Sequence, residues 1–157
     1  MTIHLRYAYP ADLDEMYRLE RCCFDEDAFN RRQLMHMLAR ANASVWIAMG
    51  DLEEALGYAI ILYRRNSRVA RLYSFCVVPE VRRRGVGRRL IEAVECDAAR
   101  RQCDRLVLEV RADNRAALAL YRRTGFLLRR WLDDYYADGC AAWQMDKPIS
   151  RETTIAG

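Results

Sequence analysis

Lysine is nearly missing from this chain of 157 residues: Lys147 is the only one, so the net charge of +4 rests almost wholly on arginine. Long apolar runs are absent too. None reaches the length that spans a membrane, and the first residues lack the basic-then-apolar order of a secretory signal, so a cytoplasmic protein with no membrane partner is expected. Metal-ligand spacing is lacking as well. Cys22 and Cys23 are adjacent, Cys76, Cys96, Cys103 and Cys140 are scattered, and neither His4 nor His36 lies near them, so no metal is expected and the thiols read as reduced and structural. Cys76 has no His or Asn constellation beside it to make it a nucleophile. Aromatic residues are not interleaved with the arginine clusters, which argues against a stacking platform for nucleic acid. No repeat, low-complexity tract or linker divides the chain, which reads as one domain over 1–148 with a polar tail at 149–157.

What is present is ordinary for a globular domain, with 52% apolar and 31% charged residues. One stretch organises the rest. Leu72 to Val78 is rich in aromatic and β-branched residues and stops at Pro79, as a strand does. Leu90, Ile91, Val94 and Ala98 then recur at helical spacing through Arg101. Between them lies the basic loop Arg82-Arg83-Arg84-Gly85-Val86-Gly87-Arg88. Glycines one residue apart let backbone N–H groups approach an anion, and the helix start behind them adds partial positive charge. A phosphate suits such a place; a solvated turn with a local cap is the plainer reading. The spacing is neither that of a P-loop, which needs Lys-Ser/Thr after its last glycine, nor that of a dinucleotide fingerprint with three glycines.

Around this stretch the pattern predicts a strand over Ile3–Ala8, a helix opening at Pro10 and Asp12, and a second helix from about Asn30 to Ala41. Strands follow over Ser44–Met49 and Ala55–Tyr63, the latter turning at Asn66-Ser67 into the strand that ends at Pro79. Arg105 to Val110 reads as a strand too apolar to have an open face, which makes Glu109 the odd residue. Asn114 caps a helix that ends at Gly125, and Phe126–Trp131 and Cys140–Lys147 read as the last strands.

Arg82-x-x-Gly85-x-Gly87 after such a strand resembles the coenzyme A pyrophosphate loop of the GCN5-related N-acetyltransferase (GNAT) superfamily. The run Leu108-Glu109-Val110-Arg111-Ala112-Asp113-Asn114 through Ala119-Leu120-Tyr121 to Gly125-Phe126 is similar to the RimI-type ribosomal-protein alanine N-acetyltransferases of that family. The resemblance implies an α/β fold with a mixed, mostly antiparallel sheet that splays near Pro79, flanking helices, acetyl-CoA as cosubstrate, and a peptide or protein N-terminus, a ribosomal protein among them, as acceptor. It assigns Glu109 as general base and Tyr121 as the acid that protonates the leaving thiolate. It places backbone groups of Phe75, Cys76 and Val77 along the pantetheine arm, Arg82 to Arg88 at the pyrophosphate, and Asn114 against the cofactor.

Direct acetyl transfer needs a proton acceptor for the amine, a donor for the thiolate and no metal. The residues themselves leave other readings open. Glu109 also fits an ordinary strand-end acid paired with Arg111 or Arg105, Tyr121 a core tyrosine, and Asn114 a helix cap alone. The segment Phe24-Asp25-Glu26-Asp27-Ala28-Phe29 departs from the Phe-Pro turn of RimI-type sequences. With Asp133, Asp134 and Asp138 it suggests an acidic acceptor mouth lined by Tyr135 and Tyr136, or simply acidic solvent loops. A small-molecule amine acetyltransferase and a non-catalytic acetyl-CoA-binding protein are the alternatives.

Overall fold

The computed structural model describes residues 2–24, 28–39 and 42–150. Its strands are β1 (His4–Tyr7), β2 (Ala43–Met49), β3 (Ala55–Tyr63), β4 (Val69–Val77), β5 (Arg105–Arg111), β6 (Leu127–Leu132) and β7 (Ala142–Pro148). Its helices are α1 (Leu13–Cys23), α2 (Arg31–Ala39), α3 (Val86–Arg100) and α4 (Arg115–Arg123). Each lies where the sequence pattern predicted an element of its kind. Among the described residues no helix is long and apolar enough to cross a membrane.

The strands form one sheet in the order β1-β2-β3-β4-β5-β7-β6, antiparallel throughout except between β4 and β5. Parallel neighbours need a crossover, and α3 supplies it. The pairing of β4 with β5 runs from Val69 opposite Arg105 to Leu72 opposite Leu108 and then ends. A bulge sits at the same level. Ile60 faces Ser74 while Ile61 faces Leu72, so Tyr73 is the extra residue of β4. A bulge bends its strand and sharpens the twist. Past Tyr73, β4 therefore follows β3 away from β5, and the sheet splays in the middle of β4 rather than near Pro79 as the sequence suggested. Among the described residues, the edge of Tyr73–Val77 that faces β5 is left without a strand partner.

Gly57 keeps this upper half of β4 in place. It pairs with Val77, and a Cβ at Gly57 would stand 2.4 Å from the Cys76 carbonyl oxygen. Gly57→Ala is expected to push β4 outward and lower stability by about 1–3 kcal/mol, the usual cost of overpacking. Urea unfolding checks this; an unchanged midpoint would mean that the strand pair relaxes freely.

Two apolar layers cover the sheet. On one face α3 sets Leu90, Ile91 and Val94 against Ile61, Leu72, Leu106 and Leu108, with Tyr121 and Phe126 in the same cluster. Buried Asp97 of α3 accepts from the hydroxyls of Tyr7 (2.6 Å) and Tyr63, tying the helix to β1 and β3. On the other face Met16 and Leu19 of α1 and Leu34 of α2 pack on Val45, Ile47, Tyr58 and Ile60. That second layer stops at β4. Burial along β5 consequently alternates, with Leu106, Leu108 and Val110 buried and Arg105, Val107, Glu109 and Arg111 half-buried. The expectation that β5 has no open face is corrected: one face is only half-buried beside the splay, and Glu109 is on it.

Candidate active site

The basic loop arrives at α3 through two left-handed residues, Arg83 (φ 71°) and Gly85 (φ 86°), the latter being the N-cap. A Cβ at Gly85 would touch nothing within 4 Å, so glycine is needed there for its torsion and not for space. The first helical N–H to find a carbonyl is that of Arg89, on Gly85 (3.0 Å). Those of Val86, Gly87 and Arg88 precede it and point out of the helix start. Gly87 belongs to α3 rather than to the loop. A Cβ there would lie 2.9 Å from Leu120 and 3.6 Å from the Phe75 ring, so this glycine brings α3 close to α4 and β4.

Arg83, Arg84 and Arg88 are exposed beside that helix start, while Val86 is buried. Arg82 turns back, its Nε donating to the Val77 carbonyl (3.2 Å) at the free edge of β4. Cys23 of α1 reaches the same carbonyl with its thiol (3.7 Å). Its thiol pKa is lowered by a hydrogen bond with Cys76 and by the Arg82 guanidinium, whereas burial pushes Cys76 well up.

Across the splay, Glu109 is paired with neither Arg111 nor Arg105. Arg105 turns to Asp146 on β7, and Arg111 to Asp113 (3.2 Å) and Asp138 (2.7 Å). The partner of Glu109 is Arg71 on β4, joined by the Tyr135 hydroxyl at 3.4 Å from Oε1. Tyr135 and Tyr136 do line this region, their rings 5.0 Å apart, with Arg111 stacked over Tyr136. Tyr121 sits on the other side of the gap, 6% exposed and edge-on to both Phe75 (5.8 Å) and Phe126 (5.6 Å). Burial, then Tyr136 and Cys76, raise its hydroxyl pKa, and that hydroxyl has no hydrogen-bond partner among the described residues. Asn114 caps α4 by accepting from the Ala117 N–H (3.1 Å). An unpaired strand edge, a basic helix start, a carboxylate and a phenol thus converge on one split in the sheet.

A family model described as "Acetyltransferase (GNAT) family" matches residues 13–126. The chain belongs to that family. Among similar proteins, the N-alpha-acetyltransferase of Saccharolobus solfataricus is 35% identical over 83 residues, 52% of this chain and 50% of that protein. The ribosomal protein bS18-alanine N-acetyltransferase of Escherichia coli is 44% identical over 57 residues, 36% of this chain and 38% of that protein. These matches thus span half or less of the curated relatives' length. The crystal structure of the ribosomal-protein-S18-alanine N-acetyltransferase from Escherichia coli superposes with a TM-score of 0.83 at 26% identity, covering 95% of each chain.

One buried carboxyl beside β4 did not stand out in the sequence of this GNAT-family chain. Glu20 of α1, 1% exposed, accepts from the Phe29 N–H (2.9 Å) through Oε2 and from the Ser74 hydroxyl (3.3 Å) through Oε1. Burial raises its pKa to about 7 against those two hydrogen bonds. It links the chain entering α2 to the cofactor strand of the resemblance. Its only signal in the sequence was an acid among the apolar positions of a helix. Of the acids suggested for an acceptor mouth, two have partners on this side. Asp138 is taken up by Arg111 and Asp133 accepts from the Trp131 indole N–H (2.6 Å), while Asp25, Glu26 and Asp27 lie outside the described residues.

Proposed function

We propose that the protein transfers the acetyl group of acetyl-CoA directly to an amine, with the α-amino group of a protein N-terminus, a ribosomal protein for instance, as acceptor. The observation that carries this is the free edge of Tyr73–Val77 running toward the N-terminus of α3. An extended amide chain adds to such an edge as a strand would, and a diphosphate suits helix N–H groups flanked by arginines. Phe75, Cys76 and Val77 would hold the pantetheine arm, and Arg82, Arg83, Arg84, Gly85, Val86, Gly87 and Arg88 the pyrophosphate, with Asn114 against the same ligand. When bound, acetyl-CoA supplies an activated thioester.

Glu109 accepts the amine proton at a carboxylate oxygen, directly or through one water, and Tyr121 offers its hydroxyl proton to the departing sulfur. Its raised pKa keeps Tyr121 a neutral phenol, able to donate a hydrogen bond to the sulfur as negative charge develops there. Support for an α-amino acceptor comes from the two named relatives, whose own descriptions concern α-amino and alanine acetylation.

The test is thiol release from acetyl-CoA with an alanine-initiated peptide and a panel of free amines. Tyr121→Phe is expected to retain acetyl-CoA binding and lose about a hundredfold in kcat on the peptide, the lower end of the range for acid catalysis. Turnover confined to free amines would replace the N-terminal acceptor with a small molecule. Tight acetyl-CoA binding with no turnover on any amine would favour a binding protein.

A further inference from the structure

Arg71 places a cation beside a carboxylate whose proposed task is to receive a proton from an amine. It lies opposite Val107, one residue before the last pair shared by β4 and β5, and reaches Glu109 on the same half-buried face. One of its terminal nitrogens pairs with Glu109 Oε1 and also stands 3.3 Å from the Tyr135 hydroxyl, and its guanidinium carbon lies 5.4 Å from the Tyr73 ring centroid. Arg71 and Tyr135 both engage Oε1, whereas Oε2 accepts no hydrogen bond from the described residues. The Arg71 side chain is 41% exposed and that of Glu109 9%, which sets the positive charge outside and the carboxylate behind it.

Two effects follow from this order of charges. Holding Oε1 from two sides stops the carboxylate from rotating and leaves Oε2 as the atom presented to an incoming amine. A guanidinium also has five N–H donors in a rigid fork, more than Glu109 and Tyr135 use. An acceptor with a carbonyl or carboxylate oxygen next to its amine can satisfy the spare donors. An acceptor with a second ammonium group meets like charge at that point.

The geometry points to Arg71 as a positioning and acceptor-selecting residue, which fixes Glu109 by Oε1 and favours α-amino groups, whose amine-bearing carbon is attached to a carbonyl as in a peptide N-terminus, over polyamines. This rests on Glu109 being the proton acceptor.

The test compares wild type, Arg71→Met and Arg71→Lys on an alanine-initiated peptide and on spermidine. Wild type is expected to prefer the peptide. Arg71→Met should lose about tenfold or more in kcat/KM on the peptide at unchanged acetyl-CoA KM, while its spermidine-to-peptide ratio rises about tenfold or more. Arg71→Lys, which keeps the charge and loses the fork, should retain the discrimination against spermidine with reduced turnover of the peptide. Calorimetric titration of both amines into CoA-saturated protein reads the same preference without catalysis. A ratio equal in wild type and Arg71→Met, or a wild type that prefers spermidine, overturns the inference even if Glu109→Gln is inactive. Full activity of Glu109→Gln instead removes the reading of Glu109 on which it rests.

Discussion

Glu109→Gln is expected to lower kcat by roughly 100- to 10,000-fold, the contribution of a well-placed general base, with acetyl-CoA affinity unchanged. Glutamine has nearly the same shape, and its carbonyl oxygen still meets Arg71 and Tyr135 at the position of Oε1. What it cannot do is take a proton. The loss should appear equally in kcat and in kcat/KM for the acceptor, because a proton transfer made only in the transition state does not alter ground-state binding. Single-turnover rates beside a calorimetric CoA titration separate the two quantities. If Glu109→Gln retained wild-type turnover, the proton acceptor would have to be sought elsewhere, and Glu20 is the buried carboxyl next in reach of β4.

The second large effect concerns that carboxyl and reads out as stability against pH. Glu20 has its pKa raised from 4.5 to about 7 by burial, so between those values the folded protein binds more protons than the unfolded chain. Stability from the neutral form is fully present below pH 4.5 and is lost as pH rises through about 7. The size of the shift corresponds to about 3 kcal/mol, an order-of-magnitude figure. Glu20→Gln removes this titration. Its amide oxygen can accept from the Phe29 N–H and its NH2 can donate to Ser74. Urea unfolding at pH 5 and pH 8 should therefore show wild type losing about 2–3 kcal/mol relative to Glu20→Gln across that interval, other groups cancelling in the difference. A difference that does not change with pH would mean that the Glu20 carboxyl is not neutral in the folded protein near pH 5.

Residues whose role depends on neighbours in the chain were legible beforehand. The strand, basic loop and helix from Leu72 to Arg101, the capping by Asn114 and the left-handed glycine at the start of α3 all follow from local rules of conformation. Glu109 stood out as an acid in an apolar strand, although for a reason that did not hold, since its face of β5 is only half-buried. Gly87 matched the motif but sits in α3 as a packing contact. Local sequence could not distinguish these, because both glycines satisfy the same spacing.

The chain by itself settled the order of elements and the position of the basic turn before α3, because hydrophobic period, glycine torsion and helix capping act over a few residues. Folding in three dimensions decided the rest. The splay at Tyr73 comes from an unequal count of residues across β3 and β4, and neither strand contains that count alone. The pairing of Glu109 with Arg71, and not with Arg105 or Arg111, comes from parallel strands that bring together residues 38 positions apart. Glu20 is raised to about 7 because α1 is pressed onto the sheet, and desolvation of that kind is a property of everything that surrounds the carboxyl.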